Sequence, residues 1–348
     1  GSFLWIEMGE KPNGMPNIGN AGSRGGGNAP ESPLARADRL LRQLVEGGSV
    51  PGLAIEATCR GEALFSAGYG MADRAGRRGV DPRSTVFRVA SISKPITATA
   101  LALLVDAGVL ALDDPLAAYV PEYPQRYGPI TLRQLASHTA GIRPYRGREA
   151  ALNRPYGIAE SLELFRDDPL LFFPGRGFQY NSFDFVLLSL AMQRAAGQPF
   201  QQLVEERVLR PLSMTRTHEE TPGEPVPGQA VFYSRTGRGF REAPPVDTRY
   251  KLAGGGYLST VSDICRLGRA WLEGEIASPA TLDPFRTSVQ VSGKPTWYGL
   301  GWQVGVDSGG RPFYGHSGNA VGACSQFYVY PQQELVCCIL ANCGGDRI

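Results

Sequence analysis

Leu34, Ala37, Leu40, Leu41, Leu44 and Val45 fall on one face at helical spacing, and the pattern predicts a helix that begins at Ser32. Ser32 supplies a cap, Pro33 suits the first helical position, and Gly47-Gly48 ends the helix. The period then changes from 3.6 to 2. Leu53, Ile55, Ala57 and Cys59 alternate with Glu56, Thr58 and Arg60, which predicts a half-buried strand, and "RGE" turns it into a second strand over 62–68. From Ile96 to Leu104 the chain is apolar on nearly every side, as expected of a helix in the middle of the protein. Between 130 and 285, helical patterns such as "PITLRQLASHTAGI" and "FDFVLLSLAMQRAAG" alternate with Pro/Gly loops. The C-terminal part returns to strands: "YGLGWQV", then "VGACSQFYVY" and "ELVCCILAN" separated by "PQQ". No internal repeat shows.

Strands therefore open and close the chain, and helices fill its middle. The economical fold is α+β: a central antiparallel sheet built from the N- and C-terminal segments, with flanking helices and an inserted, mostly helical domain. The expected division is 32–105 with 285–348 for the sheet domain and 106–284 for the helical domain, with the active site in the cleft between them. Residues 1–31, rich in Gly, Asn and Pro, read as a flexible tail, and Gly1-Ser2 as the remnant of an affinity tag.

Composition narrows the function classes. The 348 residues carry 35 basic and 33 acidic side chains, a net charge of +2, which gives no reason to expect nucleic acid as a partner. No run reaches the roughly 18 apolar residues of a membrane span, so no transmembrane segment is expected. No signal peptide is visible. The six cysteines include no CxxC pair and read as buried, reduced small hydrophobes. With three histidines (His138, His218 and His316) and no HExxH, no metal site is indicated. Neither a phosphate loop nor a dinucleotide fingerprint is present, and no cofactor is expected. Gly315-His316-Ser317-Gly318-Asn319 breaks the Gly-x-Ser-x-Gly pattern at its last position.

Lysine is scarce: Lys11, Lys94, Lys251 and Lys294 only. That scarcity draws attention to "SISK", where Ser91 lies three residues before Lys94 at the head of the most apolar helix. A serine hydroxyl is a poor nucleophile until a base takes its proton, and residues three apart on a helix share a face. A lysine near a buried helix start is desolvated and can serve as that base. A Ser at this distance from one of four lysines still arises by chance about one time in four, so the motif alone decides nothing. Two more stretches add to it. In "PGRGFQYNSFDFVLLSL", Tyr180 stands in a loop before a helix that Ser182 can cap; in "YGHSGNAVGACSQFYVYP", glycines flank His316 and Ser317 at a strand edge. Tyr145, Trp297 and Tyr298 are candidates for the cleft wall, and His138 in "LASHTAG" reads as a structural loop histidine.

Ser91-x-x-Lys94, then a Tyr-centred element, then His-x-Gly near the C-terminal strands, resembles the serine β-lactamase and penicillin-binding-protein superfamily. "VPGLAIEATCRGEALFSAGYGMAD", "LDDPLAAYVPEYP", "ITLRQLASHTAGI", "LAGGGYLSTVSDICRLGRAW" and "YGLGW" bring it closest to the class C-like branch of β-lactamases, D-Ala-D-Ala carboxypeptidases, D-aminopeptidases, esterases and a mitochondrial serine protease. The resemblance implies that Ser91 is the acylated nucleophile, Lys94 its base and Tyr180 its proton-transfer partner. It implies an oxyanion hole from the backbone N–H groups of Ser91 and Asn319. It places Ser182, His316, Ser317, Gly318, Tyr145 and Tyr298 around a small-molecule or peptide substrate. It also implies periplasmic or secreted residence, and leaves the oligomeric state unknown.

Two departures bear on substrate. Ser182 stands where the family's Tyr-x-Asn motif has its amide, with Asn181 displaced by one residue. His316 stands where the usual third motif has a charged lysine, so carboxylate recognition weakens near neutral pH. When protonated, His316 would lower the Tyr180 pKa or hold a substrate carboxylate, giving an inflection of kcat/KM near roughly pH 6–7. The expected function is that of a serine hydrolase acting through an acyl-enzyme on an ester or peptide bond, with weak or no β-lactamase activity. A slowly turning-over penicillin- or peptidoglycan-binding protein, a class C-type β-lactamase and a filament-forming assembly protein are the alternatives. Loops around 140–160 and 215–250 are expected to set the substrate. The resemblance implies a C-terminal helix packed on the sheet after the last strand, and this sequence runs to "LANCGGDRI".

Overall fold

The computed structural model describes residues 31–126 and 128–344, so most of the expected tail, residues 1–30, lies outside the described residues. Helix α1 (Pro33–Glu46) starts where Ser32 Oγ accepts the Ala35 N–H at 3.2 Å. Its inner face carries Leu41, Leu44 and Val45 onto the sheet, whereas Leu34 and Leu40 are exposed. The apolar stripe predicted from spacing is therefore narrower in the fold, because a helix lying on a sheet buries only the side that faces it.

The sheet has seven strands: β1 (Gly52–Cys59), β2 (Glu62–Asp73), β3 (Arg78–Gly79), β4 (Gln303–Val306), β5 (Pro312–Ala320), β6 (Ala323–Tyr330) and β7 (Leu335–Ala341). Their order is β4-β5-β6-β7-β1-β2-β3, antiparallel throughout. The two ends of the chain meet where β1 pairs with β7, in the register Leu53↔Ala341 through Cys59↔Leu335. Alternation fixes that register. In β7, Val336, Cys338 and Leu340 point into the core while Leu335, Cys337 and Ile339 stay half-buried, so a one-residue slip would turn the core face outward. The expected strand "YGLGWQV" shrinks to Gln303–Val306. Tyr298 and Trp302 ahead of it are buried in a turn whose Gly301 adopts φ 81°, beyond what an extended segment allows.

Further helices are α2 (Ser93–Asp106), α3 (Leu132–Ala136), α4 (Phe183–Ala196), α5 (Leu252–Gly255) and α6 (Val261–Glu273). Helix α2 is buried along nearly its whole length, as its all-round apolar pattern predicts, and lies between α4, α5 and β5. Helix α6 falls inside the 106–284 segment yet packs on β1, β6 and β7. Its Thr260 cap accepts the Asp263 N–H at 3.2 Å, and its inner face carries the fully buried Trp271 against Trp302. Two short ladders cross the same boundary: Tyr257–Ser259, which also pairs with His218–Glu219, pairs with Phe87–Arg88, and Tyr233–Thr236 pairs with Cys343–Gly344. The Phe87–Arg88 ladder leads into the turn Ala90–Ile92, which packs with the start of α2 against β5. No helix among the described residues is long and apolar enough to cross a membrane.

Candidate active site

Ser91 sits in a single turn, Ala90–Ile92, just ahead of α2 rather than inside it. Ala90 is held at φ 49°, a left-handed conformation that costs an alanine on the order of 1 kcal/mol. The surroundings impose it. Ser93, fully buried, donates from Oγ to the Ala90 carbonyl at 2.7 Å and accepts the Tyr257 N–H at 3.2 Å, which ties the turn to the neighbouring strand. Ser93 is thereby consumed by structure, and Ser91 is left facing a cavity. On the other side Gly318 presses against the turn: a Cβ there would lie 2.8 Å from both Ala90 Cβ and the Ser91 nitrogen. Only a glycine lets β5 approach so closely.

Lys94 is fully buried, and its Nζ has three neighbours: the Gly254 carbonyl at 2.8 Å, Ser182 Oγ at 3.2 Å and Ser91 Oγ at 3.3 Å. A neutral amine has two N–H donors and one lone pair. The carbonyl can only accept and Ser182 can accept, so the lone pair is left for the Ser91 hydroxyl. The electrostatics favour that neutral form. Burial first, then the positive charge of Lys251, depress the Lys94 pKa to about 7, against an opposing pull from Asp184. Tyr180 donates from Oη to Ser91 Oγ at 2.8 Å. Burial raises the Tyr180 pKa above the ordinary phenol range, with the hydrogen bond to Ser91 opposing the rise, so the phenol remains a donor. Lys94, three residues on, and Tyr180, from a distant segment of the chain, thus converge on the Ser91 oxygen.

The Tyr180 element departs from expectation in detail. Ser182 occupies the cap position of α4 but makes no capping bond, because its hydroxyl is turned toward Lys94. Asn181 caps instead: its Oδ1 accepts the Asp184 N–H at 2.8 Å, and its Nδ2 donates to Asp184 Oδ2 at 2.7 Å and to the Ile142 carbonyl at 3.1 Å. His138 Nδ1 lies 2.8 Å from the same Asp184 oxygen, and the His138 ring meets Tyr180 edge-on at 4.6 Å. Burial pushes the His138 pKa down and the Asp184 pKa up. The histidine expected to be structural therefore supports the ring of Tyr180 from behind. Nothing in its local sequence reveals this, because its partner comes from a helix 46 residues away.

His316 corrects a second expectation. It is fully buried, and burial, then the nearby Lys94, hold its pKa at about 3. Its Nδ1 lies 2.6 Å from the Ser317 carbonyl, which requires the hydrogen on Nδ1, so Nε2 accepts from the Tyr298 hydroxyl at 2.9 Å. A neutral, doubly engaged imidazole neither titrates near neutral pH nor offers a charge to a carboxylate. Tyr298 is likewise buried behind Tyr180, at 5.9 Å between ring centroids. Ser317 turns toward β4, where its N–H and hydroxyl meet Gln303 Oε1 at 3.0 and 3.3 Å. Gly318 acts through its closeness to Ser91.

The cavity in front of Ser91 has a volume of about 290 Å³ and is bordered by Tyr145, Tyr180, Ser182, Lys251 and Asn319, among others. Ser91 and Asn319, the two residues expected to form the oxyanion hole, both border it. A larger depression of about 470 Å³ near Val109, Asp113 and Arg133 brings no nucleophile and base together. Lys251 was not anticipated as a site residue, although its scarcity as a lysine was a signal. Among the described residues no cluster of three or more His, Cys, Asp or Glu side chains is arranged to hold a metal ion.

Comparison with known proteins shows the family and the fold. A family model described as Beta-lactamase matches residues 37–347. The human serine beta-lactamase-like protein LACTB, mitochondrial, is 28% identical over 391 residues, covering 84% of this chain and 71% of the relative. The D-alanyl-D-alanine-carboxypeptidase/endopeptidase AmpH of Escherichia coli K12 is 28% identical over 328 residues, covering 88% and 83%. Among solved structures, the octameric penicillin-binding protein homologue from Pyrococcus abyssi superposes with a TM-score of 0.81 at 25% identity, over 89% of this chain and 74% of the other.

Proposed function

The chain belongs to the beta-lactamase family, and from that premise we propose that it is a serine hydrolase that cleaves an ester or peptide bond through an acyl-enzyme on Ser91. One observation carries the reading: a single serine oxygen lies within reach of a buried amine of depressed pKa and of a phenol that donates to it. Lys94 takes the hydroxyl proton as Oγ bonds to the substrate carbonyl carbon. The N–H groups of Ser91 and Asn319 receive the oxyanion, and Tyr180 supplies a proton to the departing atom. The proton on Lys94 then restores the phenol, and water releases the acyl group by the reverse sequence. A neutral His316 in place of a charged lysine favours esterase or peptidase chemistry over efficient β-lactam hydrolysis.

The testing experiment is pre-steady-state hydrolysis of p-nitrophenyl acetate. A burst of nitrophenol stoichiometric with enzyme, followed by continuing turnover, is expected, together with an acetyl adduct by intact mass. Stable stoichiometric acylation without turnover would instead support the receptor reading, and the absence of any burst or turnover would overturn both.

Tyr180→Phe isolates the phenol. The ring keeps its edge-on contact with His138, so the fold should survive, while Ser91 loses the donor at 2.8 Å. We expect kcat/KM to fall about 100-fold with KM little changed, within the range for loss of a proton-transfer group. A fall of less than about three-fold in ester hydrolysis assays would remove Tyr180 from the mechanism.

A further inference from the structure

Lys251 is the second buried amine of the cavity, and the acylation chemistry does not use it. It ends the turn Arg249–Lys251 that leads into α5, is 9% exposed, and lies on the cavity wall with Ser91 and Tyr180. An ammonium has three donors. One goes to the Ala150 carbonyl, and among the described residues no carboxylate forms an ion pair with it. Its Nζ stands 5.7 Å from the Tyr145 ring and 5.6 Å from the Tyr250 ring, two aromatic faces that tolerate a cation but do not neutralise it. The charged groups that act on it do not supply the missing anion. Glu220 is committed to Arg88 at 2.7 Å, and Arg88 in turn donates to the carbonyl of Val321 at 2.6 Å, another residue of the cavity wall. Burial and Arg88 lower the Lys251 pKa to about 8, against Glu220, which leaves most of it protonated at neutral pH.

A buried cation without a counter-ion is costly, and the cavity beside it is open to a ligand that would supply one. We propose that Lys251 is the anion-binding residue of this site, so that the preferred substrates are esters or amides carrying a carboxylate close to the scissile carbonyl. The inference rests on the hydrolase reading and names its substrate class. It also explains how a site whose His316 is neutral can still recognise a charged acyl compound: the cation comes from the loop before α5 instead of from β5.

The test is a ratio, because Lys251 also ties the 147–151 turn through Ala150, and loss of that tie would lower all rates together. Two substrate pairs are compared: mono-p-nitrophenyl succinate against p-nitrophenyl butyrate, and 4-acetoxybenzoate against 4-acetoxybenzamide. The first pair places the carboxylate on the acyl side, the second on the leaving group. In the wild type at least one pair should favour the anion in kcat/KM. In Lys251→Met that preference should fall about ten-fold or more, as for loss of a hydrogen bond to a charged group. A wild type that prefers the neutral member of both pairs, or a smaller fall in the variant, overturns the inference. If Lys251→Met does not fold, the wild type still decides. N-acetyl-D-alanine should inhibit at least about ten-fold more tightly than N-acetyl-D-alaninamide, and any smaller difference overturns the inference. Turnover of the neutral esters without carboxylate preference would sink only this inference, whereas no Ser91-dependent turnover of any ester would sink the hydrolase reading itself.

Discussion

Ser91→Ala is expected to reduce ester hydrolysis to the uncatalysed background, a loss of about 10⁴-fold or more, and to abolish the acyl adduct. The size follows from how the other groups are arranged. Lys94 and Tyr180 both direct their polar atoms at Ser91 Oγ, so removing that atom leaves a base and a donor with nothing to act upon. The only neighbouring hydroxyl on the same turn, that of Ser93, cannot substitute. It is fully buried and engaged with the Ala90 carbonyl and the Tyr257 N–H. The backbone of the turn should persist without the hydroxyl, since Ser93 and the approach of Gly318 hold it. Thermal melting of the variant should therefore match the wild type while steady-state release of p-nitrophenol vanishes. Residual Ser91-independent hydrolysis above a few per cent of wild type would place the nucleophile elsewhere.

The same residues show how far a sequence can be read. Alternation in β1 and β7, the all-round apolar character of α2 and the order of three short motifs were enough to expect a sheet closed by both chain ends. The family resemblance that those motifs carry then nominated Ser91, Lys94 and Tyr180. These signals are local, or are motifs whose spacing encodes a mechanism. What escaped was pairwise. His316 looked like a titrating cation because its sequence neighbours are glycines and a serine. Its neutrality comes from complete burial and then from Lys94, far away in the chain, while Tyr298, eighteen residues earlier, engages Nε2. Ser182 looked like a cap, but Lys94 draws its hydroxyl away and Asn181 takes over the capping. Lys251 owes its position at the cavity to a carbonyl 101 residues earlier in the chain. Side-chain partners of this kind are chosen by tertiary packing, which periodicity does not encode.

Lys94 carries the other large effect. Lys94→Met, close in volume and unable to accept a proton, should lower kcat/KM for p-nitrophenyl acetate by about 1,000-fold, within the range for loss of a general base. The pH profile of the wild type gives the complementary evidence. Below its pKa the amine is an ammonium and cannot take the Ser91 proton; above it the lone pair is free. Hence kcat/KM should rise with pH through about 7 and level off above it. Tyr180 gives no second inflection in the accessible range, since burial raises its pKa beyond it. Because His316 is already neutral, His316→Gln should leave the rise in place, which separates the amine from the imidazole as its source. The positive charge of Lys251 is one reason the Lys94 pKa is low, so Lys251→Met should move the rise to higher pH. The same coupling links substrate charge to catalysis. A bound carboxylate that neutralises Lys251 would make Lys94 more basic in the complex than in the free enzyme. The inflection of kcat for an anionic ester should then lie above that of kcat/KM. A profile that is flat between about pH 5 and 9, or one abolished by His316→Gln, would remove Lys94 as the base.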